Sequence, residues 1–412
     1  MITTGDQDCR GPEAGAVPRT DQCVLVKPVS AACNLACRYC FYRQRPSDPY
    51  RNTTPGTMAR EVLASLVAQH LRLAGPVASF AWQGGEPTLA GLDFFRQVVS
   101  FQSRYGASGQ VVANALQTNG LALDRDWARF LAEYRFLVGV SLDGPAEWHD
   151  PWRADPSGRG SFAPTLAALR LLRRYGVETN VLAVVHRYNA GLPEFLLDFF
   201  CDTGLRHLQF VPALDRGPDG SFTEYSLSSD QYGEFLCRLF DAWYNGGRPQ
   251  VSIRLFDNLV AIAAGQGSHL CELGGGCGSY YVVEYNGDVY PCDFFVAEPY
   301  ELGNLVHQPL PSILAGVRRR GFEQARQSSP PECLPCRWQP ICRSGCLRYR
   351  YAADGSVRGK PAVRFSATGS NYFCGAMRTF LSHTWARVEL LAETARLLQP
   401  PIVASTLRRS ST

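Results

Sequence analysis

Three cysteines near the start of the chain are spaced for metal chemistry. Cys33, Cys37 and Cys40 form a Cys-x3-Cys-x2-Cys pattern. Three thiolates this close in sequence can hold three irons of a cubane [4Fe–4S] cluster. The fourth iron then has no protein ligand, and an open metal position is typical of a catalytic centre. A zinc site is the alternative, but zinc needs a fourth ligand nearby, and the next histidine along the chain is His70.

A second group of cysteines lies nearer the C-terminus. Its members are Cys271, Cys277, Cys292, Cys333, Cys336, Cys342, Cys346 and Cys374. Eight thiolates complete two four-cysteine clusters, and a cluster with no open iron is better suited to carry electrons than to bind substrate. Spacing alone leaves the partition open, because Cys333, Cys336, Cys342 and Cys346 would equally close one site. Two structural zinc ions are the alternative to clusters here.

The composition favours metal-bound thiols over disulfides. The chain has 412 residues, 15 of them cysteines, and a net charge of +4. Clustered cysteines in a reducing compartment more often bind metal than form disulfides. Neither a long apolar run nor a secretion signal is present, and the charge is too balanced to indicate nucleic-acid binding. We therefore expect a cytoplasmic protein with no nucleic-acid or membrane partner.

Short apolar runs alternate with amphipathic segments across residues 22–212. The predicted strands are residues 23–28, 77–82, 111–117, 136–141, 178–185 and 207–211. Strands that alternate with helices predict an α/β fold with a parallel sheet and right-handed crossovers. Six such units suit a partial, open (β/α)6 barrel. The cysteine triad and the motifs at 84–87, 118–120 and 143–145 each follow a strand, so we expect them on one rim.

The remaining segments suggest a modular chain. We predict a disordered lead-in over 1–21, the barrel over 22–212, a helical bridge over 213–268 and a cysteine-rich domain over 269–376. A helix over 377–398 and a disordered tail over 399–412 complete the chain. The cysteine-rich part has little apolar periodicity, so metal must supply its stability. Asn286 and Gly287 predict a tight hairpin turn within it.

These motifs together resemble the radical S-adenosylmethionine (SAM) superfamily, in which SAM occupies the open iron. The cysteine-rich segment resembles the SPASM domain, which carries two auxiliary [4Fe–4S] clusters. The resemblance implies three clusters in all and an interleaved partition of the late cysteines. By that pattern the first auxiliary cluster takes Cys271, Cys277, Cys292 and Cys346. The second takes Cys333, Cys336, Cys342 and Cys374.

The superfamily also implies contacts to SAM. Tyr39, just before the last cysteine of the triad, would pack near the adenine, with plain core packing as the alternative. Gly84, Gly85 and Glu86 would approach the methionyl amino group, since glycines admit close contacts and a carboxylate accepts hydrogen bonds from an ammonium.

The resemblance also implies that three further residues would contact the ribose and carboxylate of SAM. They are Ser141, Asp143 and Arg153. Arginine is a natural partner for a carboxylate, although an ordinary surface arginine is the alternative for Arg153.

A carboxylate next to a late cysteine is a candidate general base. Asp293 follows Cys292 directly and precedes two phenylalanines. A carboxylate in such an apolar place has a raised pKa and suits general-base work. A solvated loop aspartate is the alternative.

Over residues 22–385 the chain resembles the anaerobic sulfatase-maturating enzymes. The most specific stretches are residues 82–89, 141–145, 209–212, 232–237 and 290–293. The resemblance implies that a 5′-deoxyadenosyl radical takes a hydrogen atom from Cβ of a Cys or Ser in an unfolded or nascent sulfatase. Asp293 would then remove the thiol or hydroxyl proton, an auxiliary cluster would accept an electron, and Cα-formylglycine would form. Tyr42 and Gln83 would face the substrate peptide, and a flavodoxin- or ferredoxin-type protein would supply electrons.

Two other functions share part of this pattern. A SPASM maturase that crosslinks ribosomally made peptides would have the same fold and clusters. Many such enzymes carry a peptide-recognition domain before the barrel, and the residues ahead of Cys23 are too few for one. A non-catalytic, metal-stabilised interaction protein would keep the cysteines but would not need the residues that face SAM.

Overall fold

The structure is a computed structural model that describes residues 23–44, 49–50, 56–217, 219–357 and 360–398. The lead-in and tail predicted to be disordered lie outside the described residues.

The described residues form two sheets. The strands are β1 (Cys23–Lys27), β2 (Val77–Trp82), β3 (Val111–Thr118), β4 (Leu137–Ser141), β5 (Thr179–Val185), β6 (His207–Pro212), β7 (Ser252–Ile253), β8 (Tyr280–Glu284), β9 (Asp288–Tyr290), β10 (Gly303–Asn304), β11 (Arg350–Val357), β12 (Lys360–Phe365) and β13 (Ser370–Asn371). The large sheet has the order β10-β9-β8-β1-β2-β3-β4-β5-β6-β7, and the small one the order β12-β11-β13.

Helices connect the strands of the large sheet and close the chain. They are α1 (Phe41–Gln44), α2 (Arg60–Leu73), α3 (Leu92–Tyr105), α4 (Arg125–Glu133), α5 (Ala146–His149), α6 (Phe162–Arg174), α7 (Pro193–Asp202), α8 (Ser229–Tyr244), α9 (Arg254–Ala263), α10 (Cys271–Gly274), α11 (Leu310–Leu314), α12 (Val317–Gln327), α13 (Gln339–Cys342) and α14 (Cys374–Leu398). In the described ranges, every helix is too short or too polar to span a bilayer.

The predicted partial barrel is confirmed. Strands β1 to β6 pair in parallel and in chain order, and each lies within one residue of its predicted bounds. The sequence did not foresee the pairing of β8 with β1, in which Lys27 lies beside Glu284. The sheet of the barrel therefore continues into the cysteine-rich segment. The domain borders drawn from the sequence stay a prediction.

Side chains along each strand point alternately to the helix-packed face of the sheet and to the barrel interior. In β2, Ala78, Phe80 and Trp82 are buried in the core that includes Phe94 and Phe95 of α3. Successive side chains point to opposite faces of a strand. The positions between them therefore face the interior, and so does Gln83 just after the strand. By the same rule Lys27 of β1 and Glu284 of β8 also face the interior, at the carboxyl ends of their strands.

Candidate functional site

The cysteine triad lies in the loop after β1, held against the loop after β4. The amide of Ala36 donates to the carbonyl of Ala154 at 2.7 Å, and the amide of Arg38 donates to that of Trp152 at 3.0 Å. Burial raises the pKa of Cys33 to about 12 and that of Cys37 to about 11. Partly buried thiols with raised pKa values favour the neutral form unless a metal supplies positive charge, so this donor set fits a bound cluster.

The two glycines after β2 let the chain pass close to the cysteine loop. A Cβ atom on Gly85 would lie 2.1 Å from the carbonyl oxygen of Ala32. The amides of Gly85 and Glu86 donate to the carbonyls of Ser30 and Ala32, both at 2.8 Å. In the described residues, the backbone at Gly85 therefore lies close to the loop that carries the triad, whereas the sequence predicted a close approach to a ligand. A contact of Gly84 and Gly85 with SAM stays a prediction.

Glu86 is buried and joins the ends of β2 and β3. Its carboxylate accepts hydrogen bonds from the Thr88 hydroxyl at 2.6 Å, the Thr118 hydroxyl at 2.7 Å and the Asn119 amide at 2.7 Å. Burial raises the pKa of Glu86, and these hydrogen bonds oppose the rise. The side chain of Asn119 donates to Asn34 Oδ1 at 2.7 Å, which links this network to the cysteine loop. The predicted role of Glu86 toward the amino group of SAM is not tested by these contacts.

Asp143 and Arg153 form a buried, two-pronged ion pair. Arg153 Nε and Nη2 lie 2.9 and 3.0 Å from the two carboxylate oxygens of Asp143. Burial works against ionisation, but the guanidinium outweighs it and lowers the pKa of Asp143. The hydroxyl of Tyr39 donates to the same carboxylate. Arg153 is 6% exposed, so the alternative of an ordinary surface arginine is wrong.

Ser141 closes β4 on the interior face. Its hydroxyl accepts a hydrogen bond from Gln117 Nε2 at 3.2 Å. A Cβ atom on Gly139 would lie 2.2 Å from Gln117 Oε1, so glycine makes room for this amide between the strands. The barrel interior beside Ser141 is therefore polar, although the predicted contact with ribose remains untested.

A buried histidine that the sequence analysis missed completes this part of the site. The His186 ring follows β5 and packs on Trp152 at 4.1 Å between centroids, and Trp152 in turn stacks on Tyr39 at 5.9 Å. Burial lowers the pKa of His186 to about 4, so its ring is neutral near pH 7. Among the described residues its Nε2 atom has no hydrogen-bond partner. An unpartnered buried nitrogen beside the aromatic stack fits a polar ligand such as SAM.

An open cavity lies beside the triad. Its volume is about 640 Å³, and Cys37, Arg43 and Tyr225 are among the residues that line it. Cavities of this size bind small molecules or a short peptide segment.

Asp293 is buried near the same rim. Its Oδ2 atom accepts hydrogen bonds from the Tyr42 hydroxyl at 2.5 Å and from Gln83 Nε2 at 3.4 Å. Its Oδ1 atom lies 3.1 Å from the ammonium of Lys27. The expected apolar environment is therefore wrong, because a cation, a phenol and an amide surround the carboxylate. The solvated-loop alternative is wrong as well, since Asp293 is 4% exposed.

Lys27 and Glu284 were not predicted from the sequence. Both are fully buried, and the Lys27 ammonium lies 3.0 Å from Glu284 Oε1. One cation thus lies between two carboxylates, those of Glu284 and Asp293. A signal was available, because Lys27 ends an otherwise apolar strand, where a buried charge needs a partner.

The late cysteines fall into two spatial groups. Cys346 lies within electrostatic range of Cys271, Cys277 and Cys292. The other group, by the same criterion, is Cys333, Cys336, Cys342 and Cys374. Burial raises the pKa of Cys277 and Cys292 to about 12 and that of Cys342 to about 11. This grouping matches the interleaved partition implied by the SPASM pattern, and the ligand assignment itself stays a prediction.

Comparisons with known proteins support the same assignment. Residues 28–199 match the model of the radical SAM superfamily, and residues 275–337 match that of the SPASM iron–sulfur cluster-binding domain. The cysteine-type anaerobic sulfatase-maturating enzyme of Clostridium novyi is 35% identical over 90% of this chain and 97% of its own length. The serine-type enzyme of Bacteroides thetaiotaomicron is 32% identical over 92% of this chain and 93% of its own.

A solved structure agrees with these matches. The structure titled native anSMEcpe with bound AdoMet and Cp18Cys peptide superposes with a TM-score of 0.81 at 36% identity, covering 90% of this chain and 99% of that one. The chain is a radical SAM enzyme that uses SAM, a [4Fe–4S] cluster and auxiliary clusters in a SPASM domain. By identity, coverage and fold, it belongs to the family of anaerobic sulfatase-maturating enzymes.

Proposed function

We propose that this enzyme oxidises a Cys or Ser side chain of an unfolded or nascent sulfatase to Cα-formylglycine. Relatives of both the cysteine type and the serine type support the substrate class. The observation that carries the proposal is the position of Asp293. It follows a cysteine of the first auxiliary group and contacts Tyr42 and Gln83 at the barrel rim. One carboxylate therefore lies between the predicted radical site and the predicted electron acceptor.

SAM, bound at a reduced cluster on Cys33, Cys37 and Cys40, supplies the radical chemistry that removes a hydrogen atom from the target Cβ. The protein orients the reacting groups and keeps water out. Arg153, Asp143 and Tyr39 form a buried, hydrogen-bonded cluster beside Cys37, suited to hold the SAM carboxylate and adenine. Glu86 is in place to fix the loop that approaches the methionyl amino group.

Asp293 takes the proton of the target thiol or hydroxyl in this scheme. A general base must lie within hydrogen-bond reach of that proton, and Tyr42 and Gln83 hold its Oδ2 atom at the rim. Cys271, Cys277, Cys292 and Cys346 would hold the auxiliary cluster, which would accept the remaining electron. A flavodoxin- or ferredoxin-type protein supplies the electron that begins each cycle.

The test is mass spectrometry of a Cys-x-Pro-x-Arg peptide after anaerobic incubation with the reduced enzyme and SAM. The expected change is the mass loss for conversion of the cysteine thiol carbon to an aldehyde. Loss of two hydrogens with sulfur retained would instead indicate a crosslinking maturase. Release of 5′-deoxyadenosine without any change to the peptide would count against a sulfatase substrate.

A further inference from the structure

We infer that Arg326 and Arg350 form a buried cationic pair between the two auxiliary cluster sites and raise the reduction potential of the clusters there. The inference deepens the proposed function and rests on it, since it explains how the auxiliary site accepts the substrate electron.

Both guanidinium groups are removed from solvent. Arg326 on α12 is 2% exposed and Arg350 at the start of β11 is 0% exposed. Arginine is almost never fully buried unless it is paired. Within the described ranges, however, neither guanidinium lies within ion-pair distance of a carboxylate, and the Glu272 carboxylate reaches Arg326 only at longer electrostatic range.

Arg326 connects the two cysteine groups directly. Its Nη2 atom donates to the carbonyl of Glu272 at 3.0 Å, and its Nη1 atom donates to that of Arg343 at 2.7 Å. Glu272 follows Cys271, and Arg343 follows Cys342. One side chain thus holds the residue after a cysteine of each group.

Among the described residues, the partners of the Arg350 side chain are all backbone carbonyls. It donates to the carbonyls of Ser344 at 3.3 Å, Ser328 at 2.5 Å, Ala367 at 3.1 Å and Arg326 at 3.1 Å. Backbone carbonyls satisfy the N–H groups without cancelling the charge, and an arginine side chain cannot lose its proton at ordinary pH.

The groups that face this charge are the Glu272 carboxylate, which lies within electrostatic range of Arg326, and thiols of both sites. Arg326 lies within electrostatic range of Cys271 and Cys277, and Arg350 within range of Cys277, Cys333 and Cys346. Four thiolates make a ligated [4Fe–4S] site negative, and reduction adds one more negative charge. Two fixed cations in a low-dielectric interior therefore favour the reduced state.

This placement matters for the redox balance of the proposed reaction. After the hydrogen atom leaves Cβ, the substrate carbon is oxidised by loss of one electron, and one auxiliary site is reduced by that electron. The thiol or hydroxyl proton goes to Asp293. Because the interior cations stabilise the reduced auxiliary site, they make the transfer from substrate more favourable.

The test compares midpoint potentials of the auxiliary clusters by EPR-monitored redox titration, without peptide, in Arg326→Gln, Arg326→Lys, Arg350→Gln and Arg350→Lys. Arg320→Gln is the matched control, since Arg320 is an exposed arginine of the same helix. We expect the midpoint potential of the auxiliary clusters in each fully iron-loaded Gln variant to lie about 59 mV below that of the wild type. For a one-electron couple this is a tenfold shift in the oxidised-to-reduced ratio. The Lys variants and the control should stay near the wild type.

The iron content of each variant is measured as well, so that loss of a cluster is distinguished from a shift in its potential. If a Gln variant loses iron while its Lys counterpart keeps iron and potential, the requirement for charge is supported. Unchanged potentials in fully loaded Gln variants would overturn the inference. Equal shifts, or equal iron loss, in Gln and Lys would overturn it too, because the role would then be structural. If the potentials shift as expected but the wild type does not convert the peptide, the proposed function alone fails.

Discussion

At the scale of single residues, the main feature of the site is a group of buried charged side chains in the barrel interior. Asp293 was found from its place beside Cys292, but its partner Lys27 was not, because local sequence does not reveal which strands will adjoin. Only the pairing of β1 with β8 places Lys27 against Glu284. Sequence reasoning thus identified the carboxylate proposed as the base and missed the cation that lies beside it.

Removal of that cation should be costly. In Lys27→Met, the carboxylates of Glu284 and Asp293 would stay buried without the ammonium that lies 3.0 and 3.1 Å from them. Removing one partner of a buried ion pair lowers the free energy of unfolding by about 3–5 kcal/mol. We expect a clear fall in the urea midpoint and little product. Arg96→Gln breaks an exposed pair with Asp93 and should change stability by less than about 1 kcal/mol. Equal midpoints for the two variants would contradict a structural role for the Lys27 charge.

Asp293→Asn separates proton removal from radical formation. The amide keeps the size of the side chain but cannot accept the substrate proton. We expect 5′-deoxyadenosine release to continue while formylglycine yield falls at least about 100-fold, within the usual range for loss of a general base. Chromatography measures the first product and peptide mass spectrometry the second, with Asp126→Asn on the exposed face of α4 as the control. A normal yield of formylglycine would remove Asp293 as the base.

At the scale of elements, local patterns predicted the barrel well. Short apolar runs marked β1 to β6 to within one residue, and helical periodicity marked the segments between them. The pattern could not predict the pairing of β1 with β8, since it joins residues more than 250 positions apart. The structure shows that Gly85 lies close to the cysteine loop, which the pattern did not predict, and the predicted contact of Gly85 with SAM is still untested.

Gly85→Ala tests this loop contact. The added Cβ would lie 2.1 Å from the Ala32 carbonyl, so the triad loop must move. We expect loss of the iron of one cluster out of three and loss of SAM cleavage, with the auxiliary EPR signals retained. Gly321→Ala on α12 has no atom within 4 Å of the new Cβ and should bind full iron. Full iron and normal SAM cleavage in Gly85→Ala would show that the two loops need no such contact.

At the scale of the whole molecule, the chain builds its redox centres from distant parts. β8 extends the barrel sheet, so Asp293 and the first auxiliary group reach the rim that carries the triad. The count of eight late cysteines predicted two four-cysteine sites. Spacing could not partition them, because chain order places Cys346 beside Cys342 whereas the fold brings it to Cys277 and Cys292.

Paired substitutions distinguish the two partitions by iron content. If Cys292 and Cys346 share a cluster, the double variant Cys292→Ala/Cys346→Ala loses the iron of one cluster, and Cys342→Ala/Cys346→Ala loses that of two. If Cys346 instead completes the site of Cys333, Cys336 and Cys342, the two results exchange. Iron analysis after anaerobic reconstitution, with SAM cleavage as the check that the triad cluster is intact, measures the difference. We expect the first result, because thiols that share a cubane must approach one another in the folded chain whatever their distance in sequence.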